Sequence, residues 1–212
     1  MIIFEIVGTI AFSISGAIEA MKKKMDILGV IVLGIVTAVG GGILRDILMG
    51  ELPPAAFKNP RNALIALGTA FLAFIVGYML YKNKKEIHSK IWNQALLLSD
   101  AVGLGTFTVL GISYVQEQLG YENMALLIFV GVVTGVGGGV MRDVFAGNVP
   151  FIFRKHVYAT ASIAGTIIYL IFEKIGYTNL AAAVSLLVVL SLRVLAAKNE
   201  WNLPSVDLNI KE

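Results

Sequence analysis

Cysteine is absent from the 212 residues, which removes both disulfides and thiolate metal ligands. Histidine occurs only as His88 and His156, too few for a histidine-built metal cage. Charge is scarce as well: 15% of residues are Asp, Glu, Lys or Arg, where a soluble domain carries about 25%. No phosphate-binding loop ending in Gly-Lys-Ser/Thr, no Ser-His-Asp arrangement and no zinc-ligand spacing is found. The sequence therefore offers no reaction chemistry, and neither an enzyme nor a bound cofactor is expected. What is abundant is apolar surface, with 57% hydrophobic residues and a mean hydropathy of +0.81. A water-soluble globule of this size has nowhere to put it. The composition also excludes a disordered chain and a secreted disulfide scaffold, and it points to a polytopic membrane protein.

Seven apolar stretches are long enough to cross a hydrocarbon core of about 30 Å, which takes roughly 20 helical residues. They fall near Ile2–Ala20, Ile27–Met49, Asn62–Tyr81, Trp92–Val115, Met124–Ala146, His156–Glu173 and Tyr177–Ala197. Their continuous apolar character argues for helices and against an alternating β-barrel pattern. The first stretch lacks a basic region before it, since nothing positive precedes Lys22, and it reads as a true span and not a cleaved leader. With the N-terminus outside, the inner face collects Lys22, Lys23, Lys24, Lys82, Lys84, Lys85, Lys90, Arg154, Lys155, Arg193, Lys198 and Lys211. The outer face holds only Lys58, Arg61 and Lys174. The positive-inside rule selects this orientation, N-out and C-in. Lys22–Lys24 serve it directly; contact with anionic lipid headgroups is a second, weaker use of the same lysines.

The strongest signal is a duplication. GIVTAVGGGILRDILMGELP (Gly34–Pro53) and GVVTGVGGGVMRDVFAGNVP (Gly131–Pro150) agree at 11 of 20 positions with an offset of 97. At an offset of 95, Glu5, Gly8, Phe12, Ser13 and Gly16 align with Asp100, Gly103, Phe107, Thr108 and Gly111. Gly68-Thr69 and Gly165-Thr166 extend the match. The chain is thus one membrane domain: residues 1–85 form a three-span unit, 90–174 a second copy, 175–200 a seventh span, and 201–212 a cytoplasmic tail. Three spans is an odd number, so the second copy enters the membrane from the opposite side. Such inverted repeats place a transport site at the repeat interface near the midplane.

Gly40-Gly41-Gly42 and Gly137-Gly138-Gly139 lie inside the second and fifth spans. Three successive glycines lower helix propensity by about 1 kcal/mol each, so a kink or short unwound stretch lining a path is expected. Close helix packing is the competing account. Thr37 and Thr134 sit one turn before the triplets, and Ser13, Ser15, Thr106 and Thr108 lie in the first and fourth spans. Their hydroxyls are hard, neutral ligands suited to monovalent cations, although each can instead bond a carbonyl one turn back. Charges inside spans are expensive and pair or line water. Residues i and i+1 on a helix point apart, so Arg45-Asp46 and Arg142-Asp143 need partners elsewhere. The topology predicts Glu5–Arg45 and Asp100–Arg142 contacts, whereas snorkelling to headgroups explains the arginines alone.

On the paired VGGGxxRD segments, with Asp100-Ala-Val-Gly-Leu in the fourth span, the chain resembles the trimeric intracellular cation (TRIC) channels, in particular their prokaryotic relatives with a glycine-transporter domain. The resemblance implies homotrimers with a pore in each subunit, running between kinked second and fifth helices and passing potassium and sodium. Carried over, the kink residues are Gly40–Gly42 and Gly137–Gly139. A phosphoinositide site of animal members is not carried over. The lack of cysteine and the short tail fit a prokaryotic inner membrane. The competing class is a secondary transporter for a small neutral amino acid such as glycine, which the same inverted repeat suits.

Overall fold

A computed structural model describes residues 1–82, 89–120, 122–154 and 157–201. Lys84, Lys85, Lys155, Lys211, both histidines and the tail from residue 202 lie outside the described residues. Among the described residues the chain is entirely helical: α1 (Ile2–Lys22), α2 (Ile27–Leu48), α3 (Ala55–Lys58), α4 (Arg61–Lys82), α5 (Ser89–Leu119), α6 (Met124–Phe145), α7 (Phe151–Arg154), α8 (Ala159–Lys174) and α9 (Thr178–Lys198). Six of these, α1, α2, α4, α5, α6 and α9, are long and apolar enough to cross a membrane. The stretch expected at His156–Glu173 differs: α8 starts at Ala159 and has 16 residues, about 24 Å at 1.5 Å per residue. The short α7 takes up the chain before it.

The duplicated sequence produces duplicated helix ends. Asp26 caps α2 by accepting from Gly29 N at 2.8 Å, and Asn123 caps α6 by accepting from Leu126 N at 3.0 Å. At the other ends Gly50 (φ 77°) and Gly147 (φ 68°) adopt the left-handed conformation. Gly50 N then bonds Ile47 O and Glu51 N bonds Asp46 O, with Gly147 N to Val144 O and Asn148 N to Asp143 O as their counterparts. This Schellman closure needs a residue tolerant of positive φ after the C-cap, which accounts for the repeated glycine.

Four helices, α1, α2, α5 and α6, make the centre. Helix α4 flanks α1 and α2, while α8 and α9 flank α5 and α6. Helices α2 and α6 meet at their triplets and run antiparallel there: the position of a Cβ on Gly41 falls onto Thr134 O, and that of one on Gly138 falls onto Thr37 O. Both helices stay hydrogen-bonded α-helix through the glycines, so of the expected kink or unwound stretch the unwinding is absent. The glycines instead remove the Cβ atoms that would hold the two backbones apart. Beside this crossing the rings of Phe12 and Phe107 stack, with centroids 5.3 Å apart and planes 13° from parallel. These two residues are repeat partners, as are Gly41 and Gly138, so each pair meets its own counterpart. Apolar side chains of α4 such as Leu64, Phe71, Leu72 and Val76 are exposed, as a lipid-facing helix requires.

Candidate functional site

Two cavities lie at opposite ends of α1, with the stacked phenylalanines and the α2–α6 crossing between them. The first, about 330 Å³, is bordered by Glu5, Ala38, Val39, Gly42, Arg45, Asp46, Asn59, Asn62, Phe107, Ser113, Tyr114 and Glu117. The second, about 350 Å³, is bordered by Glu19, Lys22, Asn93, Leu96, Leu97, Asn148 and Phe151. Glu5 and Glu19 are about 21 Å apart along α1 at 1.5 Å per residue. Both cavities present carboxylates beside a basic side chain, Glu5, Asp46 and Glu117 with Arg45 in the first and Glu19 with Lys22 in the second.

The Arg-Asp pair after each triplet is a local fold device as well as a charged group. Arg45 Nε and Nη2 donate to Asp46 Oδ1 at 2.9 and 2.7 Å, and Asp46 Oδ2 accepts from Ala55 N at 2.7 Å. In the second copy Arg142 Nε donates to Asp143 Oδ1 at 2.9 Å, and Asp143 Oδ2 accepts from Phe151 N at 2.8 Å. Each aspartate thus holds its preceding arginine and caps the short helix that follows (α3 or α7). The expectation that neighbouring Arg and Asp cannot meet is corrected here. The flexible arginine folds back along its own helix and reaches the adjacent carboxylate. Asp46→Ala removes both functions, and a loss of about 1–3 kcal/mol is expected, read as a lower melting temperature in detergent. Wild-type stability would show that α3 needs no cap.

The arginines differ in their wider surroundings. Arg45 lays its guanidinium 3.7 Å from the centroid of the Tyr114 ring and is 8% exposed. Arg142 is fully buried and donates Nη1 to Asp100 Oδ1 at 2.7 Å and to Ser15 Oγ at 2.5 Å. The Asp100–Arg142 contact is therefore present. The Glu5–Arg45 contact is replaced: Glu5 pairs with Arg61 and accepts from Asn62 Nδ2 at 2.6 Å. Arg61 opens α4 beside the start of α1 and is nearer to hand, while Tyr114 and Asp46 satisfy Arg45.

Apart from Gly42, the remaining expected glycines and hydroxyls are brought to the centre but not to either cavity. Thr37, Thr106, Thr108 and Thr134 donate to the carbonyls of Leu33, Val102, Leu104 and Val130, one turn back, at 2.6, 2.7, 2.8 and 2.7 Å. Ser13 Oγ donates to Ala66 O at 2.7 Å, and Thr108 also meets Ser162 Oγ at 2.7 Å. All are buried. Among the described residues that border the cavities, Gly42 is the one member of the expected glycine and hydroxyl set. In a dry helix interface a hydroxyl has no water to bond, so it turns to the nearest carbonyl. Lys22 Nζ donates to Asn93 Oδ1 at 3.1 Å and lies 3.5 Å from Glu19, while Lys23 and Lys24 are exposed. Sequence reasoning missed Arg61, Asn62 and Tyr114 around the first cavity and Tyr158, Arg193, Glu19 and Asn148 at the other end. In the sequence Arg61 counted only as an outer-face cation and Arg193 only as an inner-face one. Extending the repeat register to Arg61 and Tyr158 would have flagged that pair.

Comparison with known proteins follows the same lines. A family model described as "Glycine transporter" matches residues 2–78 and 97–174, which are the two copies. The chain is 36% identical over 211 residues to the UPF0126 inner membrane protein YadS of Escherichia coli K12, covering 97% of this chain and 95% of that protein. It is 35% identical to the UPF0126 membrane protein YvgT of Bacillus subtilis 168, covering 96% and 95%. Among solved structures, one described as the structural basis for conductance through TRIC cation channels is 38% identical, covers 100% of this chain and 99% of its own, and superposes with a TM-score of 0.80. A prokaryotic TRIC channel crystallised in 0.5 M KCl is 34% identical over 95% of this chain and 97% of its own, with a TM-score of 0.82. With two matching copies, full-length relatives and full-length structural agreement, the chain belongs to the TRIC channel family of multi-pass membrane proteins, whose family model carries the glycine-transporter description.

Proposed function

We propose that this protein is a homotrimeric channel for monovalent cations, potassium and sodium, with a path in each subunit that joins the two cavities through the α2–α6 crossing. One observation carries the reading: a carboxylate-bearing cavity lies toward each end of α1, and the first reaches Phe107, whose ring stacks on that of its repeat partner Phe12. An inverted repeat has its axis where such partners meet, and the antiparallel α2–α6 crossing supports that arrangement. The topology is seven crossings, with α8 as the shortest, the N-terminus outside and the C-terminus inside a prokaryotic cell membrane. The trimer is supported by a relative described as the TRIC trimeric intracellular cation channel orthologue from Rhodobacter sphaeroides, 29% identical with a TM-score of 0.82.

In this reading the conformation described is closed. Phe12, Phe107 and the paired glycines fill the centre, and conduction requires the two halves to part there. Thr37, Thr134 and the triplet carbonyls then exchange their partners in the helix interface for a passing ion. Oxygen ligands of this kind accept both potassium and sodium.

The test is reconstitution into planar bilayers under asymmetric potassium. Unitary currents whose reversal potential follows the potassium gradient are expected. Saturable glycine uptake without unitary currents would replace the channel by a carrier. That reading draws on the first cavity, where the Arg45 guanidinium and the carboxylates of Glu5 and Asp46 border one space, as a zwitterion needs.

A further inference from the structure

The two copies treat their buried acid differently. In the register that aligns Gly68-Thr69 with Gly165-Thr166, Arg61 corresponds to Tyr158. Each side chain bonds the acid of its own copy: Arg61 pairs with Glu5, and Tyr158 Oη donates to Asp100 Oδ1 at 3.0 Å. The second copy therefore has no cation at this place, because tyrosine is neutral. It lacks the amide donor too, since Ala159 stands where Asn62 does.

The missing charge comes from outside the repeat. Arg193 of α9 places Nη2 3.2 Å from Asp100 Oδ2 and donates Nη1 to Val157 O at 3.3 Å. Its guanidinium lies 4.6 Å from the centroid of the Tyr158 ring. The result is a difference in access. Glu5 keeps a side-chain exposure of 32% and borders a cavity. Asp100 and Arg142 are at 0% and Arg193 is at 2%. Asp100 and Asp143 are balanced by Arg142 and Arg193. Without Arg193 one buried negative charge is left over, and such a charge draws in water or a cation.

We infer that Arg193 is a latch: a positioning residue, supplied by the helix appended to the repeat, that holds the second copy's end of the path shut by neutralising Asp100 and seating Tyr158 against it. This rests on the channel reading above. When Arg193 withdraws, Asp100 and Asp143 share Arg142 alone, and one negative charge is left over in the space between the halves.

The test uses the full chain in bilayers and in liposomes. Arg193→Met is expected to raise open probability about tenfold, a size typical of a coupling between two sites, with Arg193→Lys in between. Arg193→Met combined with Tyr158→Arg restores a cation at the place where the first copy has Arg61, and wild-type gating is expected to return. A merely architectural part for Arg193 in seating α9 would not be rescued from the start of α8. In parallel, Ser15→Cys gives a single thiol in this cysteine-free chain, next to Arg142. Its modification by 2-(trimethylammonium)ethyl methanethiosulfonate is expected to be about tenfold faster with Arg193→Met than without it, the same opening read chemically. Wild-type gating and thiol reactivity in Arg193→Met, or failure of Tyr158→Arg to reverse its effect, would overturn the latch. If Arg193→Met does not fold, the double variant decides: folding with wild-type gating supports the latch and misfolding overturns it. Changed thiol reactivity in a protein that passes no current would leave the latch standing and remove the channel.

Discussion

Leucine at Gly41 or Gly138 is expected to abolish flux and to lower the melting temperature sharply. A side chain at either site meets a backbone carbonyl of the facing helix, Thr134 O for Gly41 and Thr37 O for Gly138. A flexible side chain could yield, but a carbonyl held in a helical hydrogen-bond ladder moves only if the helix moves. Overpacking of a well-filled core costs about 1–3 kcal/mol, and forcing two helices apart belongs at the upper end of that range. Even alanine should be felt at these two positions. Gly42 is the internal control. A Cβ there meets nothing within 4 Å, and the helix propensity of alanine exceeds that of glycine by about 1 kcal/mol. Gly42→Ala should therefore match or exceed wild-type thermal stability. Equal losses at Gly41 and Gly42 would mean that the triplet acts through flexibility and not through close approach.

Arg142→Met is the second large effect. Arg142 has no exposure and is shared among Asp100, Asp143 and Ser15. Its removal leaves two buried carboxylates with only Arg193 nearby, and breaking a buried pair in this way costs about 3–5 kcal/mol. That is a large share of the 5–15 kcal/mol by which a typical domain is stable. Little folded protein is expected on gel filtration in detergent. Arg45→Met, its repeat counterpart, should lose less. Arg45 borders the first cavity, so water can reach the carboxylate left behind, and the Tyr114 ring packs against methionine as it did against the guanidinium. A thermal melt of both variants checks the order, and a larger loss at Arg45 would contradict the burial argument.

These effects mark how far sequence reasoning reaches. The helices, the duplication and the residues at the crossing were legible because they depend on local or periodic features. Apolar runs of span length force helices in a membrane. The alignment of Gly50 with Gly147 and of Asp26 with Asn123 repeats a local stop and start signal. The Asp100–Arg142 pair followed from depth alone, since two opposite charges at one level of a dry helix bundle must find each other. The Glu5–Arg45 pair failed by the same logic. Depth does not say which of several cations at that level lies closest, and Arg61 opens a helix packed against α1.

The sequence by itself determined a membrane chain of two like units with an added helix, and the residue types that meet where the units cross. Only the tertiary structure decided that the glycines bring α2 and α6 into backbone contact without unwinding them. It also decided that the hydroxyls spend their bonds on the helix, and that Arg193 reaches across to the acid of the second copy. The reason is that glycine permits both a bend and a close approach, and a hydroxyl accepts either an ion or a carbonyl as partner. Which option is taken depends on the distance to the neighbouring helix, a quantity that no single segment encodes.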